Sequence, residues 1–247
     1  MQNKGCSDSV RRRLEPYSVP AETQALVKKR KQFEALDVTR EIFRCIFPLC
    51  KSGSKQIIIG LDSCYEFFPT VTIAKTGRPG VKLPHYAFKT LCSSLEYISE
   101  YFSGHHDGTT VVNLAPEIIV EFGNQYGKRV ITFCSDVQTN NEQRVTIVGA
   151  TWAHFRKMLD LIYFLFNQQE SWTLDAQILF AVLREHCKLY FPGHAEKHTD
   201  MNQLEKFMKD LTLGDIDYTP RQECRMDVER AFLEMKHFCS FDTMGNI

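Results

Sequence analysis

Seven apolar residues recur along this chain at one fixed separation of 64 positions, across a junction where the side-chain periodicity itself changes. Val81 is matched by Val145, Leu83 by Ile147, Phe88 by Trp152, Leu91 by Phe155, Leu95 by Leu159, Ile98 by Ile162 and Phe102 by Phe166. A strand alternates its side chains between two faces, whereas a helix gathers positions i, i+3 and i+4 on one. A register kept through both patterns predicts a strand-to-helix unit built twice.

The runs around the two junctions extend the unit. QIIIGLD, CYEFF, TVTIAKT and GVKL read as four short strands divided by Asp-Ser, Pro-Thr and Gly-Arg-Pro-Gly, followed by a helix over 84–102 with Pro84 in its first turn. After the loop 103–110 the same order returns as VVNLAP, EIIVEF, RVITFCSD, RVTIVG and a helix over 151–166. The expected fold class is α+β, with two ββββα repeats at 54–103 and 110–170.

Ahead of the repeats, residues 1–53 read as a basic arm and a helix from Ala21 that ends before Pro48, carrying Leu26, Phe33, Leu36, Ile42, Phe43 and Ile46 at helical spacing. KSGSK at 51–55 reads as a linker. Residues 171–247 read as an acidic helical module with helices near 172–191, 201–212 and 220–239, divided by Pro192, Gly193, Gly214 and Pro220. Its apolar residues, among them Leu179, Phe180, Val182, Leu183, Phe232, Leu233 and Phe238, are expected to pack on one another and on the 21–46 helix, or to form a homodimer interface.

Charge must be divided along the chain to be informative, because 30 Lys and Arg balance 30 Asp and Glu. Residues 1–53 hold 11 basic and 6 acidic side chains, 54–170 hold 10 and 11, and 171–247 hold 9 and 13. Contact with a polyanion is therefore expected away from the C-terminus. The 9 cysteines include no CxxC pair, and no apolar leader precedes them, so they read as reduced thiols inside a cell. The longest apolar run, LIYFLF, is too short to span a bilayer, and no membrane contact is expected.

The string Gly77-Arg78-x-Gly80-Val81-x-Leu83, followed by Phe88 and Leu91, resembles the C-terminal domain of the positive-cofactor-four family of transcriptional coactivators. The second copy keeps an aromatic residue as Trp152 but has Asn141-Glu142-Gln143-Arg144 in place of the Gly-Arg turn. The family pairs one unit from each of two chains, so the resemblance implies an internal pseudo-dimer here. It also implies binding of single-stranded DNA, and covers neither the N-terminal helix nor the tail.

Binding a single strand without reading its sequence calls for cations along the backbone path and flat rings for the bases. The candidates are Tyr65, Phe67, Lys75, Arg78, Lys82 and Phe88 in the first copy, and Tyr126, Lys128, Arg129, Arg144 and Trp152 in the second. Arg11, Arg12 and Arg13, followed by Lys28, Lys29, Arg30 and Lys31, have the form of a two-part nuclear import signal. Cys187, His194, His198, His237 and Cys239 have ligand-like spacing without the paired thiols usual in structural zinc sites, so neither metal nor cofactor is expected. Walker, GxSxG, HExxH and dinucleotide motifs are missing from the sequence, and acidic pairs such as Asp107 with Glu117, or Asp136 with Glu142, read as loop residues.

The sequence thus predicts a non-enzymatic nuclear protein that binds single-stranded DNA or RNA through a basic, aromatic-lined sheet groove, alongside transcription or replication proteins. The alternative is an adaptor whose repeats form a rigid scaffold and whose helical tail docks a partner.

Overall fold

A computed structural model describes residues 40–108, 111–135, 143–190 and 201–244. The strand order is a simple meander, made twice. Strands β1 (Glu41–Pro48), β2 (Lys55–Asp62), β3 (Phe68–Lys75) and β4 (Gly80–Pro84) form one antiparallel sheet in the order 1-2-3-4. Strands β5 (Val112–Ala115), β6 (Ile118–Gln125), β7 (Lys128–Ser135) and β8 (Gln143–Val148) form the other, in the order 5-6-7-8. Helices α1 (His85–Ser93) and α2 (Leu95–Ser103) follow the first sheet, and α3 (Gly149–Glu170) follows the second. The chain is α+β as expected, and both strand-to-helix junctions fall 64 residues apart, at His85 and Gly149.

Each sheet presents matching apolar rows to the interior. Ile57, Ile73 and Val81 lie side by side in the first, as do Val120, Phe133 and Val145 in the second. The next rows are Ile59, Val71 and Leu83, and Phe122, Ile131 and Ile147. Period-two alternation of β-branched and aromatic residues delivers these rows to one face. Two glycines shape the β3–β4 turn: Gly77 sits at φ +71°, and a Cβ on Gly80 would collide with the Ile73 carbonyl oxygen.

Two segments fold differently from the elements that their patterns predict. Residues 41–48 form the outer strand of the first sheet and not the end of a helix, so the expected boundary at residue 53 falls in the turn between β1 and β2. EIFRCIFP carries apolar residues that suit either period, and pairing with β2 satisfies its backbone while burying Ile42 and Phe43. The CYEFF segment is not a strand. Asp62 accepts the Cys64 amide at 2.8 Å, Ser63–Tyr65 form a 3-10 turn, and Glu66 and Phe67 follow in the left-handed region. The 21–39 part of the expected N-terminal helix lies outside the described residues.

The sheets and helices share one interior. Helix α1 lies against β5 of the second sheet as well as its own β3 and β4, and α3 lies against β2 and β3 of the first as well as its own β8. Strand β4 meets β7 and β8. The ring contacts come in exchanged pairs: Phe88 meets Phe166 at 4.9 Å, and Trp152 meets Phe102 at 6.3 Å between ring centres. Phe88 also meets Tyr163 at 5.6 Å, while the Trp152 indole donates to the Ser99 hydroxyl at 3.0 Å. A shift of 64 converts each of these contacts into its counterpart.

A second interior forms where the tail docks. Helices α4 (Thr173–Tyr190), α5 (Met201–Asp210) and α6 (Val228–Met244) bring Leu179, Leu183, Met208, Phe232 and Met235 against Ile42, Phe43, Leu61 and Phe67. Phe43, at φ 56° in a bulge of β1, donates its amide to Glu234 and accepts from the Gln169 amide at 3.0 Å. The tail therefore packs on the sheet through β1 and the β2–β3 turn. Leu233, expected in the packed face, is exposed. No helix among the described residues is long and apolar enough to cross a membrane.

Candidate nucleic-acid interface

The proposed base-stacking rings divide by burial. Phe88 is fully buried and Trp152 is 3% exposed, both inside the interior shared by the sheets. Phe67 is buried against Phe180 at 5.1 Å, and its carbonyl accepts from the Thr173 hydroxyl. These three are packing residues, a correction to their expected role. Tyr65 sits half-buried on the 3-10 turn. Tyr126 alone among the candidate rings projects fully, at 102% relative exposure, from the tight β6–β7 turn where it and Gly127 both have positive φ.

The cations divide by partner. The Lys82 ammonium bonds to Asp62 and lies 2.7 Å from Glu41, beneath a side chain only 28% exposed. Burial opposes its charge, but the two carboxylates outweigh that effect and hold the ammonium above the ordinary lysine range. Arg129 donates to the carbonyls of Tyr101 and His106 at 2.6 and 2.5 Å, and lies over the Tyr101 ring. It fastens the second sheet to the end of α2. Arg144 pairs with Glu121 at 3.1 Å on the outer side of the second sheet. Lys75, Arg78 and Lys128 remain exposed.

Register reveals two further cations. Lys55 stands directly opposite Lys75 across β2 and β3, and Lys51 lies in the preceding turn. That turn is tied to the β3–β4 turn, since the Thr76 amide donates to Ser54 at 3.1 Å and its hydroxyl donates to the Gly53 carbonyl. Lys51, Lys55, Lys75 and Arg78 therefore occupy one end of the first sheet. KSGSK reads as a linker unless β1 is recognised as a strand, which is why the sequence concealed this group.

Beside them, the Cys50 thiol lies 3.3 Å from the hydroxyls of both Ser52 and Ser54. Burial raises its pKa, but these hydroxyls and the backbone at Ser54 and Lys55 outweigh that and bring it down to about 7.

No protein-family model, curated protein or solved structure matches the chain.

The two tied turns thus bring together three ammonium groups, which act as point charges, and one guanidinium, a planar donor. Among the described residues, no three His, Cys, Asp or Glu side chains are grouped to hold a metal ion. Cys187 is buried with its thiol 3.5 Å from the Met208 sulfur, while His194 and His198 lie outside the described residues, as does the import signal at 11–31.

Proposed function

We propose that the chain is a non-enzymatic single-stranded DNA- or RNA-binding protein of the nucleus, serving transcription, replication or genome maintenance. In this reading it is an internal pseudo-dimer of positive-cofactor-four-like units. The exchanged contacts Phe88–Phe166 and Trp152–Phe102 support the pseudo-dimer, because an isologous interface returns every contact with its roles reversed. The observation that carries the binding function is the uncompensated cationic end of the first sheet, where Lys75 and Arg78 stay exposed while Lys82, Arg129 and Arg144 are engaged elsewhere. Nuclear residence rests on the basic pattern at 11–13 and 28–31 alone.

With Phe67, Phe88 and Trp152 buried, backbone charge outweighs base stacking in this reading. Fluorescence anisotropy with single- and double-stranded DNA and RNA of one sequence, across a salt series, tests it. The expected result is preferential single-strand binding that weakens steeply as salt rises. Absence of binding at low salt rejects the reading in favour of an adaptor. The exposed Leu161 and Phe164 of α3, with Leu174 and Ile178 of α4, favour that second reading.

A further inference from the structure

We propose that the tied β1–β2 and β3–β4 turns form a phosphate cradle for the backbone of single-stranded nucleic acid, present on the first sheet and missing from the second. The inference rests on the nucleic-acid-binding reading above and gives it an address: Lys51, Lys55, Lys75 and Arg78.

The electrostatics of the turns point to an anion. Lys55 and Lys75 face each other directly, and like charges opposed across antiparallel strands destabilise the pair. Among the described residues no carboxylate pairs with either lysine, nor with Lys51 or Arg78. The turn segments 50–55 and 75–80 themselves, CKSGSK and KTGRPG, contain no acidic residue. A bridging phosphate converts the Lys55–Lys75 repulsion into two attractions.

The same segments contain no large apolar side chain to enter a lipid boundary, which favours a nucleic-acid backbone over a membrane surface. No exposed ring lies in either turn, so the cradle grips phosphates without reading bases.

The second sheet differs at every corresponding position. In place of the Lys55–Lys75 pair it has Ile118 opposite Ser135, 2% and 1% exposed. Its β5–β6 connection is Pro116-Glu117, and the 136–142 connection contains Asp136 and Glu142 without a cation. Among the described residues the opposed lysine pair is thus a feature of the first meander, and the cradle is assigned to that sheet.

The test uses the full chain and a short oligo-dT, read by fluorescence anisotropy across a salt series. Lys51→Glu with Lys55→Glu should weaken binding at least tenfold and lower the log-log salt slope by about 0.7 for each phosphate no longer neutralised. Lys51→Gln with Lys55→Gln should give a smaller change in the same direction, and melting curves verify that both variants fold. Oligo-dT should also slow alkylation of Cys50 by iodoacetamide, followed by peptide mass spectrometry, and saturate at one equivalent per chain. If wild type binds but the glutamate variant keeps its affinity and slope, with Cys50 unprotected, the cradle is wrong and the general reading stands. Two equivalent sites per chain overturn its restriction to the first sheet. If wild type binds no oligonucleotide, the general reading falls and the cradle with it. Lysine-dependent binding to phosphatidylserine vesicles in that case assigns the turns to a membrane.

Discussion

Lys75 and Lys82 stand on neighbouring strands of one sheet and have opposite fates. Lys82 lies between Asp62 and Glu41, while Lys75 faces another lysine. Nothing local to either residue separates them in the sequence, because Glu41 belongs to a segment that reads equally well as helix and Lys55 to one that reads as a linker. Removing the Lys82 charge takes the lysine from the buried Asp62 carboxylate, while Glu41 keeps Arg44 at 3.2 Å. Lys82→Met should cost about 3 kcal/mol in folding stability, the low end for one partner of a buried ion pair because this lysine is partly exposed. Urea denaturation checks the cost, and the salt slope of nucleic-acid binding should stay unchanged. Cysteines divide in the same way. Burial pushes the Cys64 thiol up to about 12, with the Asp62 charge adding to the effect, whereas Cys50 comes down to about 7. Its thiolate is the charged form, so a lowered pKa means that alkylation of Cys50 should rise with pH to half its maximum near 7. Replacing Ser52 and Ser54 by Ala should move that midpoint up toward the ordinary value of 9.0, measured by peptide-resolved alkylation rates.

At the scale of elements, the strand-to-helix junctions were legible because two periodicities agreed in one register, and they begin at His85 and Gly149 as the 64-residue shift requires. Strand β1 was not legible. Ile42, Phe43 and Ile46 fit a helical face, and their pairing depends on β2 and on the distant side chains of Gln169 and Glu234 that hold the Phe43 bulge. The burial of Phe88 and Trp152 was hidden for a related reason: an aromatic residue early in a helix looks alike whether it faces a ligand or the other unit. Trp152→Ala should lower folding stability by about 3–5 kcal/mol, as large-to-small changes in a core do. Single-strand affinity measured well below the melting temperature should hardly change, since a buried indole bonded to Ser99 is not a stacking platform.

At the scale of the molecule, the described residues form two interiors, one shared by the sheets and one joining the tail to β1 and the β2–β3 turn. Composition drift marked the tail as different, but the contacts that join it to the first sheet connect residues more than a hundred positions apart, beyond the reach of any local pattern. A chain ending at residue 170 should therefore aggregate, because it uncovers Ile42, Phe43, Leu61 and Phe67 together. Light scattering decides this, and a soluble, monomeric product shows instead that the tail is separable. The exchange of helices between the sheets also bears on how the protein is made. Helix α3 covers β2 and β3, yet follows them in the chain by about eighty residues. At 5–20 residues per second, roughly 4–16 s of synthesis separates the first sheet from the helix that completes its interior. Until then the row Ile59, Val71 and Leu83 lacks the helix that finally covers it, so apolar surface stays open on the nascent chain while the second sheet is still being made.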